Sequence, residues 1–576
     1  MQRRHLWLVP VAALLAAVAA GCGGSGSKSS SANTQQAQTT SQQQANGSAN
    51  ATAGSPRTGG TLVFGSEQEP PCMNPFLNDC NNTWMLYYTE QVLRSAFVTD
   101  PQFRYIPDLV SSTSVRMNPQ RITYHIKPQA KWNDGVPVTA KDFIFTWKTV
   151  LNKAWDKKPT GGGIISRVGY DQITNATTAD GGKTVTFTFK PSFADWKDLF
   201  TTIMPQHALQ GEDLTKVFIN DLANPKTGKP ISDGPFTFTK WNKGASFTLV
   251  RNPKWWGPHR PYLDKIVARF LTDSNTEIQQ LKGGEVDAIY PQPQLPLAQL
   301  RTQNGVTVVS NLGPNWEHID INMKKGGPLL KQAWLRQALM LSINRKQVVN
   351  SLFAKLTPDL QPLDNLIYLN NNPNYQPHFN KWDYNPQQAA KILTAHGCKK
   401  GGDGIWACAG KKLSFQFEST AGNQLRELAF EVMQQQLKAN GIAVVNNFKP
   451  SNIFFGQDLP NGNYQLGMYA WSAPSADPST GTAIYFCPNN GGGQNYTGFC
   501  SAKVDALFKT ANTTLKQSAR VAAYNQADEI LAANIPTIPL YQKPTFLVYH
   551  NYVEGMTDNV LSPGPMWNAE NWWLNK

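Results

Sequence analysis

The chain has 576 residues, a formal net charge of +14, 11% aromatics and 17 Trp. That length exceeds what one ordinary hydrophobic core organises, so two or more lobes are expected. Lys and Arg are scattered, with no run beyond short pairs such as Lys399-Lys400 and Lys411-Lys412. A nucleic-acid binder clusters them on one face, so the charge reads as solvation and affinity for an anionic envelope, not as a nucleic-acid footprint.

The first residues, Met1 to His5, are short and basic, and Leu6 to Ala20 is apolar apart from Pro10. At about fifteen residues the run is shorter than the ~20 of a comfortable membrane span. It fits a secretory signal. It closes on Ala19-Ala20-Gly21-Cys22, which resembles the lipobox of bacterial lipoproteins. There the cysteine is lipid-modified and becomes the first residue; Ala19 stands where the usual Leu would. Residues 1–21 are therefore expected to be a signal, with Cys22 the lipidation site. Residues 22–56 are mostly Gly, Ser, Gln, Asn, Thr and Ala. Such a segment cannot offset its ordering entropy by burial, and it reads as a flexible tether.

Setting Cys22 aside leaves three local couples: Cys72 and Cys80, Cys398 and Cys408, Cys487 and Cys500. Six cysteines permit fifteen pairings; pairing between neighbours is the expectation in an oxidising compartment. Each small loop would then contribute roughly 2–3 kcal/mol in the chain-entropy model. No Cys-x-x-Cys is present and the eight His are scattered, so neither a metal site nor a cofactor is expected.

After the tether, Gly60 to Gly65 reads as a first strand. Arg121 to Lys127 alternates like a half-buried strand. Asn133-Asp134-Gly135 is a tight turn. Thr139 with Asp142 three residues on is a capping box opening a helix. Lys183 to Lys190 alternates again, and Gly234 to Gly257 reads as two antiparallel strands joined at Lys243-Gly244. The second half changes period. Asn275 to Tyr290 reads as helix, glycine stop and strand, and Leu329 to Phe353 has apolar residues at helical spacing. Gln424 to Phe448 is a helix ended by Gly441 and followed by a strand. Ser518 to Tyr541 is a helix followed by a Pro-bounded strand. Helix alternating with strand implies α/β lobes.

Several blocks, in order, resemble the extracytoplasmic solute-binding proteins of peptide-type ABC importers, the oligopeptide and dipeptide group known as family 5. They are "KWNDGVPVTAKDFIFTW", "GPFTFTKW" with "RNPKWW", "LRQALMLSINR", "YAWSAPSADPS", and "AKVDALFKTA" leading to "IPLY". The resemblance spans nearly everything from Arg57 onward. It implies a large α/β periplasmic-binding-protein fold of type II-like character, with two hinged lobes and an extra subdomain. Lobe I would be residues 57–312, with the subdomain at about 100–235, and would return at 539–576. Lobe II would be residues 313–538. The crossovers would lie near Gly313-Pro314 and Ile538-Pro539. Ligand would bind in the interlobe cleft, and closure would bury it and present a new surface to the permease. The implied partners are the permease subunits of the membrane, a peptide or other small solute, and the lipid anchor. The protein would be a monomer on the outer face of the cell membrane.

One segment departs from the family. Peptide binders have Trp, two residues, then an Asp that pairs with the ligand's amino group. Here Trp471 is followed by Ser472, Ala473 and Pro474, and the place of an Arg three residues before the Trp is taken by Met468. Either Asp477 serves as the anchor, or the ligand is not held by an amino terminus and is a modified peptide, an oligosaccharide or another polar solute. The expected ligand-binding residues are Trp471, Tyr469, Ser472, Asp477, Glu67, Glu69 and Asp79. Each of the last three is open to a solvated surface role instead. The 17 Trp suit stacking on a sugar as well as packing in cores. No Gly-x-Ser-x-Gly or His-Glu-x-x-His is present, so an enzyme is not expected. A secreted glycoside hydrolase is the remote alternative, and a sensor lipoprotein without transport is the nearer one.

Overall fold

The computed structural model describes residues 55–576 apart from 81, 158–162, 451–452, 473–477, 489–493 and 562. The signal, Cys22, most of the tether, Pro474 and Asp477 lie outside the described residues.

Strand β1 (Thr61–Ser66) starts directly after Gly59 and Gly60, whose φ values of 118° and 87° are open to glycine and strained for other residues. The short hairpin β2 (Phe97–Thr99) and β3 (Tyr105–Pro107) leads into an extra subdomain. There β4 (Val110–Arg116), β5 (Gln120–Ile126), β6 (Ile173–Ala179) and β7 (Thr184–Phe189) form a sheet in the order β4-β5-β7-β6. The helix Ala140–Val150 covers it, opened by the Thr139–Asp142 capping box. The chain then returns to the main sheet through β8 (Phe236–Asn242), β9 (Ser246–Arg251), β10 (Lys265–Phe270) and β11 (Ala288–Ile289).

Strand β12 (Val306–Ile321) is long enough to serve both lobes. In the second lobe β13 (Lys399–Lys400), β14 (Trp406–Cys408) and β15 (Lys411–Lys412) make a small separate sheet. Strands β16 (Ser414–Glu418), β17 (Ala443–Asn446) and β18 (Leu466–Ser472) extend the main one, and β19 (Thr537–His550) runs back through the hinge. The main sheet has the order β17-β16-β18-β12-β19-β11-β1-β10-β9-β8. The stretch Leu329 to Phe353 is two helices, Ala333–Leu341 and Arg345–Phe353, because Asn344 leaves the helix and caps the second by accepting from Gln347 N.

The hinge is visible in the pairing. The β12–β19 ladder runs from Val306 opposite His550 to Asp320 opposite Thr537, with a break in register between Leu312 and Trp316. On its other edge β19 pairs with β11 at Val548 and Tyr549, and makes a single bridge with Pro362 at Tyr541. Between those two contacts the strand passes from one lobe to the other. Ile538 and Pro539, where the second crossover is expected, pair with Ile319 and His318, and the stretch of β19 between its two contacts on the other edge lies further along, around Lys543. Gly313 is required at the first passage: a Cβ there would lie 2.5 Å from Thr545 Cγ2 and 3.1 Å from the Lys543 carbonyl oxygen.

Two large buried clusters form the cores. One is centred on Phe64, Trp84, Tyr88 and Phe247 and continues through the subdomain; the other packs the second-lobe helices on β12, β16, β18 and β19. Trp84, Trp132, Trp155 and Trp572 are fully buried, so much of the tryptophan content serves packing. Away from the hinge the lobes touch again. Ala194 N donates to Asn512 O at 2.9 Å, and Asp195 pairs with Arg520, both buried. Disulfides join Cys72 to Cys80, Cys398 to Cys408 and Cys487 to Cys500. Among the described residues no helix is long and apolar enough to cross a membrane.

Candidate functional site

In lobe I the loop after β1 meets the segment after β11 through Glu67 and Gln292, and in lobe II the ends of β12 and β18 pair at Asn315 and Ser472. The loop after β1 carries Glu67, Glu69 and Asp79, and the Cys72–Cys80 bridge closes it. It is fixed further by Ile165 N, which donates to Phe76 O at 2.9 Å, and by a bridge between Leu77 and Ile164. The three acids have separate fates. Glu67 accepts from Gln292 Nε2 at 2.8 Å, and Gln292 Oε1 accepts from Lys543 Nζ at 3.0 Å. A polar chain thus runs from the β1 loop to the hinge strand. Burial pushes the Glu67 carboxyl up, against the Gln292 hydrogen bond and the Lys543 charge, which pull it down. Glu69 is taken up by the β8–β9 hairpin: it accepts from Trp241 Nε1 at 2.8 Å and from Gly244 N at 3.0 Å. These bonds tie it to the hairpin. Asp79 is exposed on the short helical turn Asn78–Cys80.

Lobe II presents an aromatic wall. Cross-strand pairing sets Trp471 opposite Trp316 and Tyr469 opposite His318, so all four side chains share one face of the sheet. The Trp471 ring stacks on Tyr496 at 5.9 Å and on His318 at 6.2 Å, and meets Tyr469 edge-on at 5.4 Å. Tyr469 is fully buried, and its hydroxyl donates to Asp320 Oδ2 at 2.5 Å. It therefore supports the wall from behind. Ser472 is exposed at the strand end, and Asp477 lies outside the described residues. Met468 is fully buried and belongs to the second-lobe core, on the face away from Trp471.

Sequence reasoning missed three groups here. His318 is fully buried, and neither ring nitrogen has a hydrogen-bond partner; Trp471 Nε1 is likewise unpartnered. Burial lowers His318 to about 3 and raises Asp320 to about 6, so both lean towards their neutral forms although they lie 3.6 Å apart. On the opposite face Glu317 and Arg426 form a buried pair, with Arg426 Nη1 also donating to Thr420 Oγ1 at 2.8 Å. Lys543 is the third group, at the hinge itself. Alternation along β12 hints that His318 and Glu317 face opposite ways; nothing local marks what either meets. An open groove of about 410 Å³ at the hinge, lined by Gln102, Phe103, Asn311, Leu312, Asn371 and Val560 among others, takes residues from both lobes. Among the described residues no cluster of His, Cys, Asp and Glu could hold a metal ion.

Two lobes joined by two neighbouring strands are the architecture of a hinged solute-binding protein. The chain belongs to the bacterial extracellular solute-binding proteins, family 5, whose model matches residues 104–493. It is 27% identical over 551 residues to the oligopeptide-binding protein AppA of Bacillus subtilis (strain 168), covering 93% of this chain and 95% of that one. The structure of B. subtilis AppA in complex with a nonapeptide superposes with a TM-score of 0.74 at 26% identity, covering 90% of this chain and 100% of that one. A periplasmic EDTA-binding protein, EppA, superposes with a TM-score of 0.81 at 26% identity, covering 91% of this chain and 98% of that one.

Proposed function

We propose that this protein captures a solute between its lobes outside the cytoplasm and delivers it to the permease of an ABC importer. The observation that carries the reading is the hinge: among the described residues β12 and β19 join the two halves of the main sheet, and the groove beside them takes residues from both sides. Lobes so joined can close on a ligand by rotation at a few residues. A lipid on Cys22 and the tether at 22–56 would keep the body near the membrane surface, where its permease sits.

A peptide is the first reading of the ligand, supported by the likeness to AppA. A non-peptide solute is the second. The position of the amine-anchoring Asp is Pro474, the buried Met468 offers no charge to the cleft, and EppA is described as an EDTA-binding protein. Native mass spectrometry of the protein purified without denaturation tests the two. A ladder of peptide masses supports the first reading and a single small-solute mass the second. Deleting the gene should abolish uptake of whatever is found; undiminished uptake would refute the transport role. A Cys22→Ser variant should leave the membrane fraction, and persistence there would refute the anchor.

A further inference from the structure

We infer that Lys543 anchors a carboxylate of the ligand, so that the solute carried in the cleft is an acid. The inference rests on reading the chain as a cleft-binding protein and names the class of solute it takes.

Position is the first argument. Lys543 lies in the part of β19 between its contact with β11 at Val548 and its bridge to Pro362 at Tyr541. It also faces the break in the β12 ladder, where Leu312 pairs with Pro544 and Trp316 with Gln542. Among the described residues β19 therefore has no neighbouring strand on that edge at Lys543. Its ammonium reaches the lobe I segment after β11, donating to Gln292 Oε1 at 3.0 Å.

Pairing is the second argument. The charges around Lys543 are engaged without it. Glu317 holds Arg426, which also donates to Thr420. Glu67 is engaged by the Gln292 amide. Lys543 makes no ion pair with a described carboxylate, and its one described hydrogen bond is to a neutral amide oxygen. An ammonium carries three donors, and a partly buried cation with no carboxylate in hydrogen-bond contact is unfavourable. Burial lowers its pKa and Arg426 adds to this, with Glu317 and Glu67 acting the other way. A ligand carboxylate would supply both the missing charge and the missing acceptors.

The third argument concerns the competing charge. Glu67 is the acid closest to this cation along the polar chain, and it is not available as a strong amine anchor. One of its oxygens already accepts from Gln292, and burial holds its carboxyl above the ordinary range. Glu67 thus has an oxygen already occupied, whereas the Lys543 ammonium has donors left over after its bond to Gln292. The carboxylate could be the C-terminus of a peptide or belong to a small organic acid; both present the same group to Lys543.

The test uses the full chain and four probes: trialanine, trialanine amide, glutarate and citrate. Each is titrated calorimetrically into the wild type, Lys543→Met, Lys543→Gln and Lys543→Arg. At least one acid should bind. Lys543→Met and Lys543→Gln should weaken it by about tenfold or more, and Lys543→Arg should largely restore it. Glu67→Gln should tighten the same acid, since it removes the opposing charge. Trialanine binding well above its amide would identify a peptide terminus; glutarate or citrate binding instead would identify an organic acid. Two results overturn the inference: trialanine and its amide both binding with the same affinity, or unchanged acid affinity in both neutral variants. A neutral solute retained in native mass spectra by wild type and Lys543→Met alike would overturn the anchor and leave solute binding intact. A protein that retains nothing and responds to no probe would overturn both.

Discussion

The two sides of the cleft are built differently. On the lobe I side, the two acids that follow β1 are already engaged, Glu67 by Gln292 and Glu69 by the β8–β9 hairpin. On the lobe II side, His318 and the Trp471 indole nitrogen are buried without partners, inside a wall held together by ring contacts. Hydrogen bonds fix direction, whereas ring stacking fixes mainly distance and leaves polar atoms unanswered. The first side is shaped before any ligand arrives. The second keeps polar capacity that water or a ligand must meet.

The largest way to break this contrast is to attack the buried charges beneath the lobe II wall. Arg426→Met should strand Glu317 in the interior and cost about 3–5 kcal/mol of stability, measured by denaturant unfolding. Adding Glu317→Gln should recover much of that loss; a double variant as unstable as the single one would show that packing, not charge, dominates.

Next in size is the pH response of the His318–Asp320 pair. Asp320 is raised in the fold, so its contribution is present below the ordinary Asp range and is lost as pH rises towards about 6. His318 is lowered, so its contribution is present above the ordinary His range and is lost as pH falls towards about 3. Between pH 4 and 6 the two slopes oppose each other. Relative to wild type, Asp320→Asn should make stability rise more steeply with pH over that window, by about 3 kcal/mol at most. His318→Phe should make it fall more steeply. Melting temperatures at half-unit pH steps would show parallel curves if neither group titrates as argued.

Smaller effects separate binding from scaffolding. Trp471→Ala should weaken ligand binding by about 1–3 kcal/mol if the wall meets the ligand, and unchanged calorimetric affinity would remove it from the site. Glu69→Gln should cost only about 1 kcal/mol of stability. It should leave affinity unaltered, because its partners are the hairpin and not the cleft. A loss of affinity there would erase the distinction between the two sides.

Features with a local cause were legible in the sequence. Thr139 and Asp142 announce a helix start by spacing alone, and the structure has the reciprocal cap. Lys243-Gly244 marks a hairpin because Gly244 takes φ +73°. The break at Asn344 is hidden because apolar spacing continues across it, although an Asn can cap where a helix restarts. The site was less legible. Glu317 meets Arg426 from 109 residues away, and no local pattern encodes such a meeting. Lys543 looks like any charged residue after a strand until the partners on both edges of β19 are known. Trp471 drew attention as a motif residue, but its setting against His318 and Tyr496 depends on strand register.

The pairing of β12 with β19 has a consequence for how the chain is partitioned. Gly313 and Gln542, the two ends of a lobe II read from the break in that ladder, lie on adjacent strands, with Gln542 Nε2 donating to the Gly313 carbonyl oxygen at 2.6 Å. Neighbouring strands stand only ~5 Å apart. Lobe II is thus an uninterrupted segment whose two ends meet, spliced into lobe I as a single loop would be. A short turn between them would close lobe I without stretching it, so each lobe could be lifted out, exchanged or varied as a cassette while the other kept its own connectivity.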